Sequence, residues 1–260
     1  MWTRVDDRKL FTALLVLLIA LAWVALWVWG QSPYARYLNH EELEIISLPG
    51  DTLLLVVFAG GWTLMTAAMM LPTSVPLIAL FYALTRRRPD RLWLVGLLVS
   101  GYLGTWTLFG VGAHLGDWVL HQAVEESTWL EANAWMLGAG ILIVAGAFQF
   151  TPLKYYCLDK CRSPLSFITE HWRGRHEKVQ ALWLGVRHGV FCIGCCWALM
   201  LLMFAVGVAN IGWMLGLGIV MAVEKNIPWG KRLSAPLGVL LLAWGLILVL
   251  IGTPGTEGIL

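Results

Sequence analysis

Apolar residues arrive in this chain as long unbroken runs, without the one-sided stripes of a water-soluble helix. Segment 10–30 is almost wholly Leu, Val, Ala and Trp, and 52–84 is apolar throughout. Further runs cover 92–113, 132–150, 189–208, 211–223 and 234–252. A helix needs about 20 apolar residues to cross a bilayer. Lipid offers a backbone amide no partner outside its own helix. The pattern therefore predicts an all-α, polytopic transmembrane helix bundle of about seven helices, forming one integral membrane domain over 1–260. Two runs are irregular. The 52–84 run is too long for one straight span and contains Pro72 and Pro76, each of which removes a backbone donor and favours a kink. The 211–223 run would rise only about 20 Å, and the count of seven depends on it.

Charge gives these helices a direction. Lys and Arg collect on the cytoplasmic side of membrane proteins. With the amino terminus inside, 17 of the 18 basic residues fall in cytoplasmic segments and only Arg36 falls outside. The first run follows Arg4, Arg8 and Lys9, as a secretory signal would. It is long for such a signal and no A-x-A site follows it, so it reads as a retained helix. The segment 151–187 is expected to be the largest cytoplasmic loop, holding one short amphipathic helix against the membrane face. The outer loops are expected at 31–51 and 114–131. Trp23, Trp27, Trp29, Trp118 and Trp129 suit interfacial anchors. Composition agrees: 59% of residues are hydrophobic and 13% charged, against about 25% charged in soluble domains. A net charge of +2 gives no reason to expect a nucleic-acid partner.

The cysteines carry the candidate chemistry. All five lie on the cytoplasmic side of this topology: Cys157 and Cys161 in the loop, and Cys192, Cys195 and Cys196 in the fifth helix. That compartment is reducing, which disfavours structural disulfides and favours metal or redox roles for clustered thiols. Residues three or four apart share a helix face, so His188, Cys192, Cys195 and Cys196 could chelate from one helix, with Cys157 and Cys161 closing the site. Thiolates select Cu(I), Zn or Fe–S chemistry. A copper ion is the expected metal, with zinc or iron as alternatives. Met69 and Met203 are weaker candidates for a soft-ligand path. His114, Asp117 and His121, at helical spacing on the outer side, are a separate weaker metal candidate whose imidazole and carboxylate groups suit Zn(II) or Cu(II). Glu224 and Lys225, ending the sixth run, read as a local ion pair. No nucleotide-binding or metalloprotease motif occurs.

Four stretches resemble a known family: AAMMLPTSVPLI (67–78), TPLKYYCLDKCRSPLSF (151–167), GVRHGVFCIGCCWALM (185–200) and VEKNIPWG (223–230). They are similar to the uncharacterised bacterial family of predicted metal-binding integral membrane proteins, domain of unknown function 2182. The resemblance implies a multi-helix protein of the bacterial inner membrane. It also implies a metal site drawn from Cys157, Cys161, His188, Cys192, Cys195 and Cys196. Three roles follow as expectations: copper transport or delivery for cuproprotein assembly, a redox or electron-transfer subunit, or an accessory subunit with structural cysteines. The expected partners are the lipid bilayer and, beyond it, other membrane subunits or a metallochaperone.

Overall fold

The computed structural model of the chain describes residues 3–31, 52–131, 133, 135–174, 176–206 and 210–251. The expected outer loop at 31–51, with Arg36, lies almost wholly outside them. The described residues form α1 (Thr3–Gly30), α2 (Thr52–Leu84), α3 (Arg91–Glu125), α4 (Trp135–Phe148), α5 (Pro152–Arg162), α6 (Pro164–His171), α7 (Glu177–Val206), α8 (Ile211–Asn226) and α9 (Ser234–Ile251). A helical turn at Thr128–Glu131 and a 3₁₀ turn at Gly230–Leu233 complete them. The protein is all-helical among the described residues.

Five segments are long and apolar enough to cross a membrane: Phe11–Gly30, Leu55–Leu84, Arg91–Glu125, Glu177–Met203 and Gly230–Ile251. The pair Trp135–Phe148 and Pro152–Arg162, bent by 64°, makes a sixth if taken as one broken span. At 16 residues, α8 rises about 24 Å, short of the roughly 30 Å hydrocarbon core. The expected count of about seven is thus reached only by adding both the bent pair and α8. Large apolar side chains cover the outside of the bundle. Leu108, Leu240 and Leu250 are each more than two-thirds exposed, a surface suited to lipid rather than water.

Two loop expectations are corrected. The 114–131 segment is largely helix, because α3 continues to Glu125. Polar residues end the hydropathic run there without removing any backbone hydrogen bond. The 151–187 segment folds into α5, α6 and the first turns of α7 instead of a loop with one surface helix. Thr151 caps α5 by accepting from the Lys154 amide at 3.3 Å, and Pro152 starts the helix. That cap and proline restart the chain in a new direction, which accounts for the 64° bend. In α5, Lys154, Cys157 and Leu158 are buried.

α2 runs as one continuous helix that keeps Pro72 and Pro76 inside it. Pro72 has no N–H for the carbonyl of Ala68, four residues back. The Trp23 indole of α1 donates to that carbonyl at 3.1 Å. Trp23 is therefore a tertiary donor between α1 and α2.

The α3–α7 contact is the most extensive in the bundle. Gly101 and Gly185 let the two backbones meet there. A Cβ on Gly101 would collide with the Leu182 carbonyl, and one on Gly185 with the Leu98 carbonyl. Small residues at such crossings are the usual means of close helix approach in membranes. Arg88 pairs with Glu177, and Arg162 donates to the carbonyls of Ile227 at 2.8 Å and Pro228 at 2.9 Å. Lys231 pairs with Asp159 at 2.8 Å. These contacts gather the basic turns at one end of the bundle.

Candidate metal-handling site

Cys192, Cys195 and Cys196 lie on α7 with at most 1% exposure each. The Cys195 and Cys196 thiols donate back to the Cys192 carbonyl, at 3.1 and 2.9 Å. Cys192 meets two other helices, and a third closes round its lysine. The Tyr102 hydroxyl of α3 lies 3.0 Å from its sulfur. The Lys225 ammonium of α8 donates to it at 2.9 Å and lies 3.8 Å from Cys196 Sγ. From α2, Thr73 accepts from Lys225 at 3.3 Å, and Met70 Sδ stands 4.0 Å from the same ammonium. Lys225 is thus a buried cation held by two thiols, a hydroxyl and a thioether.

His188 is one turn before Cys192 and 3% exposed. Its Nε2 lies 3.1 Å from Ser74 Oγ. Its ring stacks on Tyr102 at 5.4 Å and meets Phe167 edge-on at 5.5 Å. Its buried Nδ1 has no hydrogen-bond partner among the described residues.

The sulfurs of α5 approach the cluster from below. A Cβ on Gly194 would lie 2.5 Å from Cys157 Sγ, so this glycine lets α5 lie against α7 beside the cluster. The Cys161 thiol contacts Cys195, and Cys161 is the half-exposed member of the five. All five cysteines are free thiols.

Other candidates fall elsewhere. Met69 and Met203 are buried, but Met69 packs towards Gly218 of α8, and it is Met70 that reaches the ammonium. His114 stacks on Phe58 at 4.3 Å, while His121 Nδ1 turns to the Asp117 carbonyl at 2.9 Å. Among the described residues no three His, Cys, Asp or Glu side chains form a group that could hold an ion. The full six-residue site expected from sequence is therefore not assembled.

The expected Glu224–Lys225 pair is also corrected, because the two side chains point apart. Glu224 receives Lys154 Nζ at 2.8 and 3.0 Å and Ser234 Oγ at 2.6 Å, and Gln149 accepts from the same Lys154. Lys154 and Glu224 are 0% and 2% exposed. Sequence reasoning missed Lys225, Tyr102, Ser74, Thr73 and Met70. The available signal was Lys225 itself, since an ionisable residue ending an apolar run is a functional suspect.

The fold and this cluster define a helical membrane-type protein that buries soft sulfur donors around a fixed cation. A family model described as PpoB2, copper chaperone, matches residues 59–248, and the chain belongs to that family. The match runs through α2 to α9 and so takes in every residue of the cluster. It supports copper over zinc or iron. No curated protein and no solved structure matches the chain.

Proposed function

We propose that this protein is a membrane-embedded chaperone that accepts Cu(I) on the cytoplasmic side and delivers it for cuproprotein assembly. The observation that carries this reading is the buried Cys192 thiol. It lies between a hydroxyl and an ammonium, with Cys196 one turn away, in a chain of the copper chaperone family. Copper is the cargo here. Soft thiol and thioether donors suit Cu(I), and Cu(I) accepts two or three such donors where structural zinc takes four.

Half-exposed Cys161 would take the ion first and pass it through Cys195 to the buried pair. Each exchange trades one thiolate for another, so copper never passes free through water. The His188 Nδ1, without a hydrogen-bond partner among the described residues, would be a further donor one turn from Cys192. The gathered basic turns support a cytoplasmic location for this end, with the amino terminus on the same side. The bent α4–α5 pair and short α8 would complete a seven-span topology in a bacterial inner membrane. A cuproprotein or a second metallochaperone would be the receiving partner.

The test is elemental analysis of the detergent-purified protein after loading with Cu(I) under reducing conditions. Wild type should retain copper, and the C192S/C196S double variant should lose it. Equal copper in the two would overturn the reading.

A further inference from the structure

Among the described residues the Lys225 ammonium has no carboxylate partner. It is 6% exposed, and the groups it donates to are Cys192 Sγ at 2.9 Å, Thr73 Oγ1 at 3.3 Å, Cys196 Sγ at 3.8 Å and Met70 Sδ at 4.0 Å. The nearest acid in sequence, Glu224, is engaged by Lys154 and Ser234. A buried cation is costly unless paired, and one within an apolar bundle calls for a function and a named partner.

We infer that Lys225 sets the valence of the ion that the Cys192–Cys196 pair accepts, selecting a monovalent soft ion over a divalent one. This rests on the proposed Cu(I) function and names what makes it specific. Two thiolates around one monovalent ion carry one net negative charge. The ammonium cancels it, and the loaded site is neutral. Two thiolates around Zn(II) are already neutral, so exchanging two thiol protons for that ion leaves the ammonium as uncompensated as it was in the empty site. Lys225 thus favours the first ion and gives the second no matching gain.

Loading balances without redox chemistry. A donor holding Cu(I) on two thiolates gives the ion to Cys192 and Cys196. Both of their thiol protons pass to the donor sulfurs, and copper stays cuprous. Lys225 keeps its proton throughout and serves as counter-ion and positioning residue, never as a ligand.

Position supports the assignment as much as charge does. Lys225 immediately follows Glu224, whose carboxylate is clamped by Lys154 of α5 and Ser234 of α9. Arg162 binds the carbonyls of Glu224, Ile227 and Pro228. The end of α8 is therefore held from both sides, and its lysine is aimed at the thiols by packing.

The experiment compares full-length wild type with K225M and K225Q in detergent. Each is titrated with Cu(I) and with Zn(II) against competing chelators. Wild type should prefer Cu(I). Both variants should lose Cu(I) affinity by at least about tenfold while Zn(II) affinity changes far less, shifting the ratio about tenfold. A merely structural lysine would weaken both ions together, and that result would overturn the inference. So would an unchanged ratio. Wild type that binds no Cu(I) would instead overturn the proposed function itself. If neither variant folds, X-ray absorption on copper-loaded wild type decides. Two sulfur neighbours support the neutral pair, and three or more overturn it, because one ammonium cannot neutralise them.

Discussion

Replacing Lys154 by Met leaves Glu224 as a buried carboxylate whose one remaining side-chain donor among the described residues is Ser234, at 2.6 Å. The pair it breaks is almost wholly removed from solvent, at 0% and 2% exposure, so the screening that weakens surface ion pairs does not apply. Removing one partner of a buried pair costs about 3–5 kcal/mol, whereas replacing both with apolar groups of similar volume is often close to neutral. K154M and E224M should therefore each destabilise by about 3–5 kcal/mol, and K154M/E224M by no more than about 2 kcal/mol. The coupling is then at least about 4 kcal/mol, beyond the 0.5–3 kcal/mol usual for neighbouring residues. Gln149 also accepts from Lys154. It stays with the stranded ammonium in E224M, which should make that variant the milder of the two. The assay is reversible unfolding in mixed micelles, with helix content followed by circular dichroism. Single variants costing under about 1 kcal/mol, or a double variant costing the sum of the singles, would refute the reasoning. In E224M, Cu(I) affinity should fall as well, because the clamp that aims Lys225 is lost.

In G194A the new Cβ would stand 2.5 Å from Cys157 Sγ and 3.3 Å from its Cβ. Such overpacking costs about 1–3 kcal/mol; melting should detect it, and C157A in the same chain should restore stability. Brief alkylation of the reduced, metal-free protein should give a first adduct at Cys161, the half-exposed thiol, as read by peptide mass spectrometry. A first adduct at Cys192 would contradict the burial described. Glu170 accepts from Lys160 at 2.8 Å, and that hydrogen bond holds its carboxyl below the usual range. A depressed carboxylate contributes stability above its unfolded-state pKa and loses it as pH falls through the lower folded value. The contact should therefore weaken only in acid and with added salt. In an NMR titration K160M should move the Glu170 midpoint upward, and an unmoved midpoint would contradict the pairing.

Much of the class was legible because hydropathy reports what a residue touches, and lipid contact needs no tertiary partner. The long runs of α1, α2 and α9 could be read that way. Helix ends were less legible. The run at 92–113 ends where polarity rises, but α3 continues to Glu125, since backbone hydrogen bonding is indifferent to whether lipid or water surrounds it. The clustering of His188, Cys192, Cys195 and Cys196 followed from helical spacing, because a single helix fixes its own faces.

By itself, then, the sequence determined the all-helical class, the end of the bundle where the thiols gather, and the common helix of Cys192, Cys195 and Cys196. Tertiary structure decided what those thiols face. Adjacent Glu224 and Lys225 diverge because successive residues on a helix point about 100° apart, and each finds a partner far away in the chain. Glu224 meets Lys154 on α5, while Lys225 meets Cys192 on α7. No local pattern encodes such pairings. They arise from which helices pack together, and that packing turns a row of cysteines into a pocket with a fixed positive charge.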